Sequence, residues 1–460
     1  MDDYTVITPA ILARIRNTVG SSRVMTRSDA LEEYGRDAGE CVALPECIVE
    51  AGSANDVSSL ITLANEIRFP VTPRGLGTGL AGGAVPICGG VVLSLAGMNR
   101  IIDIDRNNLI AVVEPGVLNL DFKEAVRREG LFYPPDPASL DTSSLGGNAA
   151  TNAGGPACVK YGTTRDYVLG LEAVLPTGEI IDAGVRTRKG VVGYDLLHLI
   201  VGSEGTLGVI TRLILKLLPH PEGVTTMVAF FPDPETAMSA VTTVLTAGHI
   251  PSAIELLDDH CIDLVGDLLP FDDISGIGAL LLVETDGPLD VIEREIQAIG
   301  EICLDRGGMD VLLAPDSQKR AKLWEIRRQV AVRIEEHYPV YIPEDIVVPI
   351  GRIAEFIACL PEYETEYGMN IYAFGHAGDG NIHLNITADD PVARGDVDRG
   401  ISSLLKKVIV MGGTISGEHG IGMVKKPFLS MELSDTSIKI QRRIKDLFDP
   451  RHILNPGKLF

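Results

Sequence analysis

The chain has 460 residues, of which 49 are glycine and 45% are hydrophobic, and 40 Lys+Arg against 63 Asp+Glu give a formal charge of −23. That length exceeds what a single hydrophobic core serves, so more than one domain is expected, and the apolar content without low-complexity blocks excludes a disordered or fibrous chain. The acidity is dispersed and the basic clusters are only pairs (Arg127-Arg128, Arg327-Arg328, Lys406-Lys407, Lys425-Lys426), which excludes a nucleic-acid-binding face. Seven cysteines, an odd number without C-x-x-C spacing, argue against a disulfide framework or a cysteine-ligated cluster and for a reducing compartment. No stretch reaches 18 uncharged apolar residues, and the longest candidate, Val191 to Leu218, is broken by Asp195, Glu204, Arg212 and Lys216. A cytoplasmic chain with no transmembrane segment, touching membranes through a partner if at all, is the expectation.

In chain order, residues 5–35 read as helical, with Ile7, Ile11, Ile15 and Val19 forming one face. Cys47–Val49 is a short strand, Ser53–Asn65 a helix opened by an N-cap serine, and Phe69–Pro73 extended. A glycine-rich segment at 74–90 precedes strands near 91–95 and 110–113 and a helix at 118–129 closed by Gly130. The mixed pattern runs to Leu218, where Pro219-His220-Pro221-Glu222-Gly223 is the clearest linker. The second half restarts with a strand at 225–231, a helix at 234–247, a strand at 278–284 and charged helices at 289–306 and 316–337. An extended segment at 341–349, a helix at 351–360 and a strand at 370–374 follow. This order predicts an antiparallel sheet with helices on one face, and an α+β chain overall.

Two glycine-rich segments carry the first chemical signal. Residues 73–86 place five glycines within 75–83, directly after a strand. Backbone N–H groups freed of side chains curl into an anion nest, so a phosphate or pyrophosphate cradle and a plain flexible loop compete here. The spacing does not match the dinucleotide fingerprint, and a Walker lysine is absent. Residues 134–156, followed by Lys160-Tyr161-Gly162, are dense in small, uncharged hydrogen bonders, which suit a planar heterocycle lying against backbone.

With these segments the sequence resembles the flavoproteins of the vanillyl-alcohol oxidase type, in the branch that holds D-lactate dehydrogenase, D-2-hydroxyglutarate dehydrogenase and the flavin-carrying chain of glycolate oxidase. The resemblance extends over nearly the whole chain. It includes Gly202-Ser-Glu-Gly-Thr-Leu-Gly-Val-Ile-Thr211, Gly375-His-Ala-Gly-Asp-Gly-Asn-Ile-His383, Gly417-Glu-His-Gly420 and Asn455-Pro-Gly-Lys458. It implies a two-lobed FAD-binding domain over 1–220, an antiparallel-sheet substrate (cap) domain with the metal site over 221–424, and a C-terminal segment, 425–460, that returns to the FAD domain.

Carried onto this chain, the resemblance places the FAD pyrophosphate on Arg74, Gly75, Leu76, Gly77, Thr78 and Gly79. It places the ribityl chain and ring along Pro135, Asp136, Ser139, Gly146, Gly147, Asn148, Thr151, Asn152 and Gly155. Gly205, Gly208, Val209 and Ile210 would close the adenine side, and Asn455 would reach the flavin. Some relatives tether FAD to a histidine of the first glycine loop. That loop has no histidine here, so FAD is expected to be noncovalent, with Cys158 a small buried thiol.

On their own terms, His376 and His383 followed by Glu418-His419 offer imidazole and carboxylate ligands of the kind divalent metals take. If 381–386 is a strand, Asn381, His383 and Asn385 share a face, and the Gly-Asp-Gly turn returns His376 beside His383. The resemblance assigns His376, His383 and Glu418 to one divalent metal ion (Zn, Mn or Fe), His419 to the base and Arg327 to the substrate carboxylate. Arg328, about 100° away on a helix, is left to surface pairs. Members acting on 2-hydroxyglutarate tend to hold a lysine just before the Asp aligned with Asp345, whereas this chain reads Tyr341-Ile-Pro-Glu-Asp345. With Pro343 and Glu344 there, a second substrate carboxylate is expected to go unpaired or be repelled.

The implied reaction is FAD-dependent oxidation of a D-2-hydroxy acid, D-lactate or glycolate favoured, to the 2-oxo acid, by hydride transfer to flavin N5 with a histidine base and a metal. Electrons would leave to an iron–sulfur subunit, an electron-transferring flavoprotein or a quinone. The alternatives are a D-2-hydroxyglutarate dehydrogenase and a non-catalytic flavin-binding subunit of an oxidase complex. The related alkyl transferase that makes ether-lipid precursors is disfavoured by the chain length and by its need for a phosphate pocket.

Overall fold

A computed structural model of the chain describes residues 4–269, 275–390 and 394–460. The N-terminal region departs from one continuous helix. Pro9–Val19 is helical, but Gly20 at φ 93° ends it, and a 3-10 turn (Ser21–Arg23), a short strand (Val24–Met25) and a second helix (Ser28–Tyr34) follow. Intervals of four identify an apolar face without locating the residue that stops the helix.

Two units make up the chain: residues 1–154, 163–220 and 418–460, and residues 155–162 and 221–417. In the first, a four-stranded sheet runs in the order Val24–Met25, Cys47–Glu50, Val91–Ser94, Val71–Arg74. Its last three strands are parallel, which requires crossover connections. The helix Ala54–Ile67 supplies one, capped by Ser53, whose side chain accepts from Asp56 N. Leu60 and Ile61 on this helix are fully buried in the sheet's core, each contributing about 2 kcal/mol. A five-stranded antiparallel sheet has Val209–Lys216 at its centre. The C-terminal tail joins the first sheet, with Val71 N bonded to Ile453 O and Asn455 N to Val71 O, both at 2.8 Å.

The second unit is built on a seven-stranded, wholly antiparallel sheet. Its order is Asp310–Leu313, Gly223–Phe231, Ala279–Gly287, Ala253–Asp258, Asn370–His376, Asn381–Ala388, Val340–Val347. Helices cover both faces, not one. Val228, Phe230, Leu257, Leu280 and Leu282 pack with Ile326, Val330 and Ile334 of the helix Ser317–His337. Met227, of opposite parity, faces Gly300 of the helix Leu289–Asp305. Runs such as Met227–Phe231 and Ala279–Val283 are buried throughout, the signature of strands covered on two sides. The chain passes back to the first unit between Gly417 and Glu418, earlier than the expected 424. The segment after it is held by Met423 N bonding Ala81 O at 2.8 Å, in the first unit. Among the described residues, no helix is long and apolar enough to cross a membrane. Of the run Val191–Leu218, Val191 and Val192 are 97% and 99% exposed in a loop before Leu197–Ile200, and Val209–Lys216 is sheet.

Candidate active site

In the first unit the strand Val71–Arg74 delivers the glycine loop into the wall of a cavity. Arg74 to Gly79, Ser139, Gly146 to Asn148, Thr151, Gly205 and Gly208 to Ile210 all line it. The Arg74 side chain is spent elsewhere: Nη1 donates to Arg36 O at 2.5 Å and the guanidinium lies 5.2 Å over the Tyr34 ring. What Arg74 contributes to the cradle is therefore backbone. Gly77 sits at φ +74°, and a Cβ there would fall 2.0 Å from Arg74 Nη2, so the turn admits glycine on two counts. Asn148 Nδ2 and Ser203 Oγ are buried, line the cavity and have no protein partner, so donors stand ready for a ligand rich in acceptors. Glycine backbone and orphaned donors together fit a flavin nucleotide.

Five expected contacts sit outside the lining. The Pro135 carbonyl accepts from Asn119 Nδ2 at 3.2 Å, and Asp136 supplies charge to the partly buried Lys123 ammonium. Asn152 adopts a left-handed conformation at the end of the helix Leu145–Thr151 and accepts from Arg165 N through Oδ1 at 2.9 Å. Gly155 belongs to the second unit. Asn455 braces the wall from behind, with Nδ2 donating to Gly83 O (2.9 Å) and Glu204 O (2.8 Å). Cys158, expected buried, is only partly so, at the start of a one-turn helix.

Glu418 and His419 line the same cavity. They are placed by Glu204, whose carboxylate accepts from Ile421 N at 2.8 Å and Gly422 N at 2.7 Å. Burial raises the Glu204 pKa, and the two N–H groups oppose that rise.

In the second unit, sheet register assembles a polar cluster. His376 pairs with Asn381 and with Glu255, and His383 pairs with Phe374 and Asp345. Directly paired residues share a face, so Glu255, His376, Asn381, His383 and Asp345 all project to one side. The turn between the strands is closed by Gly380 at φ +95° and by Asp379 Oδ1 accepting from Asn381 N at 3.1 Å. It sets the imidazole rings 5.1 Å apart at 87°. Asp345, fully buried, accepts from Asn381 Nδ2 (2.6 Å), Ser416 Oγ (3.2 Å) and Gly417 N (2.8 Å), and its Oδ1 is 3.9 Å from His383 Nδ1. Asn385 accepts from Tyr341 Oη at 2.8 Å, while its Nδ2 is buried with no protein partner.

Arg327 approaches this face from the helix Ser317–His337. Its guanidinium lies 4.4 Å over the Phe374 ring, and Nε donates to Glu255 Oε2 at 2.8 Å. Arg328 is exposed and pairs with Glu325 at 2.7 Å. Burial works to raise the Glu255 pKa, but His376 and Arg327 outweigh it and hold the carboxyl down at about 2. Glu344 corrects an expectation. It pairs with Leu384, so parity turns it to the face opposite His383, and repulsion of a substrate carboxylate is not its role. Pro343, which pairs with Asn385, is the neighbour sharing the cluster's face, and it brings no cation.

Two family models match: the FAD binding domain over residues 45–184, and the C-terminal domain of FAD linked oxidases over residues 220–459. The chain belongs to the FAD-linked oxidases. It is 41% identical to glycolate oxidase subunit GlcD of Bacillus subtilis over 444 residues, covering 96% of this chain and 93% of that one. It is 37% identical to a D-lactate dehydrogenase of Anaerostipes hadrus, covering 99% and 98%. Among solved structures, p-cresol methylhydroxylase superposes with a TM-score of 0.81 at 17% identity, covering 98% and 97%, a likeness of fold.

Two positions of this FAD-linked oxidase escape sequence reasoning. Glu204 stands inside the Gly-Ser-Glu-Gly segment, where the glycines are the visible signal. Glu255 stands in an apolar strand, Ala253–Asp258, and a charged residue amid such a run is the one available sign of it. Chemically, the first unit of the oxidase offers a cleft rich in glycine backbone whose lining also includes the His419 imidazole and the Glu204 and Glu418 carboxyl groups. The second offers paired imidazoles and a guanidinium tied to one buried carboxylate.

Proposed function

We propose that the protein oxidises a small D-2-hydroxy monocarboxylate, D-lactate or glycolate, to the 2-oxo acid with noncovalent FAD. The observation that carries this reading is the histidine pair on one sheet face with Arg327, from the covering helix, tied to the same face through Glu255, ligands suited to a metal ion and a carboxylate. The names of the relatives, a glycolate oxidase subunit and a D-lactate dehydrogenase, support the substrate class. Pro343 on the cluster's face, without a cation for a second carboxylate, favours a monocarboxylate.

In this reading the first unit, closed by the segment returning from Glu418, holds FAD, and the second unit carries the substrate. His376, His383 and Glu418 would hold a divalent ion, and such an ion would acidify the substrate hydroxyl. FAD, when bound, supplies the two-electron acceptor for the hydride released from Cα. Arg327 binds the carboxylate with its two Nη groups and fixes the orientation of Cα. His419 takes the hydroxyl proton at a ring nitrogen, while Glu204 holds the turn that follows it. A partner protein, an iron–sulfur subunit or an electron-transferring flavoprotein, then receives the electrons.

Anaerobic stopped-flow mixing with D-lactate, glycolate and D-2-hydroxyglutarate tests the reading. Bleaching of the flavin by one of the first two, and slower bleaching by the third, is expected. Preference for D-2-hydroxyglutarate would overturn the monocarboxylate assignment. His419→Ala is expected to slow bleaching by about 10²–10⁴-fold with FAD still bound, and unimpaired bleaching would remove His419 from the base role.

A further inference from the structure

Arg327 and His376 have no reason, as sequence neighbours, to be in register with each other. They lie on a helix and on a strand that meet only through tertiary structure. In the fold one carboxylate spans both. Glu255, fully buried, accepts from His376 Nδ1 through Oε1 at 2.5 Å and from Arg327 Nε through Oε2 at 2.8 Å. The two bonds have definite chemical consequences. With Nδ1–H donating to Glu255, His376 is the tautomer whose lone pair is on Nε2, the form an imidazole needs to ligate a metal. With Nε bonded and the guanidinium plane laid on Phe374 at 4.4 Å, Arg327 keeps its Nη groups for an anion and loses the freedom to swing. The helix is pinned a second time one turn earlier, where Trp324 Nε1 donates to Glu284 Oε2 at 2.9 Å, so Arg327 is anchored at its tip and through its backbone.

We propose that Glu255 is a positioning residue that couples metal retention to substrate affinity, one carboxylate setting the tautomer of His376 and the pose of Arg327 together. The inference rests on the proposed 2-hydroxy-acid reaction for its substrate half and on the chain's own bonds for its metal half. A residue that only fills space would lower stability without moving metal affinity and KM together. A linker of the two sites must move both, and must leave the FAD cavity untouched.

The test is Glu255→Gln in the full chain loaded with FAD. The amide oxygen still accepts from His376 Nδ1–H, but its NH₂ now faces Arg327 Nε–H, so the fork is broken on one side and the charge is lost. Three quantities are read: the dissociation constant for Zn²⁺ or Mn²⁺ by competition with a chromogenic chelator, KM and kcat for the best 2-hydroxy acid, and FAD absorbance per chain. Metal affinity is expected to fall about 10–100-fold, KM to rise about 10-fold or more, and FAD content to stay at the wild-type value. Metal affinity and KM both within about twofold of wild type would overturn the proposal, as would a change in only one of them. Should Glu255→Gln fail to fold, Glu255→Asp decides. It keeps the charge but is one methylene too short to hold both partners, and a measurable loss in both quantities is expected where no loss refutes. An inactive wild-type protein that binds metal would sink the substrate reading alone, because the metal arm needs no turnover.

Discussion

The cleft of the first unit and the cluster of the second achieve recognition by opposite means. The cleft is lined by backbone: glycines at 75, 77, 79, 146, 147, 205 and 208, with Arg74 turned aside to Arg36. The cluster is made of side chains whose positions depend on buried charges, Glu255 and Asp345 foremost. A backbone site is specified by what is missing at each position, so its sequence is a run of small residues. A side-chain site is specified by partners on other strands, and each member is exposed to the loss of any other.

That contrast can be broken by single substitutions. The largest effect is expected for His383→Ala. Metal content should drop to near zero and flavin reduction by about 10³-fold or more, with FAD per chain unchanged; loss of FAD alongside the metal would erase the distinction between the sites. Gly77→Val is expected to do the reverse. The left-handed backbone costs about 1–2 kcal/mol for a side chain, and Cβ would displace the Arg74 guanidinium. FAD affinity should then weaken about 10-fold or more by equilibrium dialysis, and metal content should not change. An unaltered FAD affinity would mean that the loop tolerates a side chain and is no cradle.

The smallest effect concerns one of the buried cations of the first unit. Lys458 donates from Nζ to Val85 O, close to the glycine loop, and burial lowers its pKa to about 8. Between that value and the 10.5 of a lysine in an unfolded chain, the unfolded state holds a proton the folded state has released, so stability rises with pH across the window. Relative to Lys458→Met, the wild type should gain on the order of 1–3 kcal/mol from about pH 7.5 to 10.5 by urea unfolding. Parallel slopes in the two proteins would show that the ammonium is hydrated.

What is legible in the sequence follows the same division. Several strands and helices of the second half are readable from their apolar patterns, whereas the strands Ala253–Asp258 and Asp310–Leu313 and the helix Arg394–Val410 are not among the expected elements; the hairpin returning His376 to His383 is readable because Gly378, Asp379 and Gly380 announce it. The glycine cradle is readable because its residues are contiguous. Glu255 is not, since its partner His376 lies 121 positions away and only strand register brings the two together. The coverage of the sheet by helices on both faces is hidden for a related reason: burial on the second side depends on where helix Leu289–Asp305 docks, which no local period encodes. Glu344 differs from its expected role by one step of strand parity, the smallest slip that changes which face a residue serves.

The tail's attachment to the strand Val71–Arg74 has a consequence for how the protein is made. Val71 bonds both Ile453 and Asn455, and Glu418 and His419 belong to the cavity wall, so the first unit is stitched shut by the last tenth of the chain. During synthesis, residues 221–417 leave the ribosome while that unit is still open. The sheet holding the histidine pair can therefore fold as an insert before the nucleotide cleft exists, and the cleft must wait for a contact spanning about 380 residues, a slow closure of high contact order. Flavin would then be captured by a chain whose second-unit sheet, with Glu255, His376 and His383 in register, has already folded.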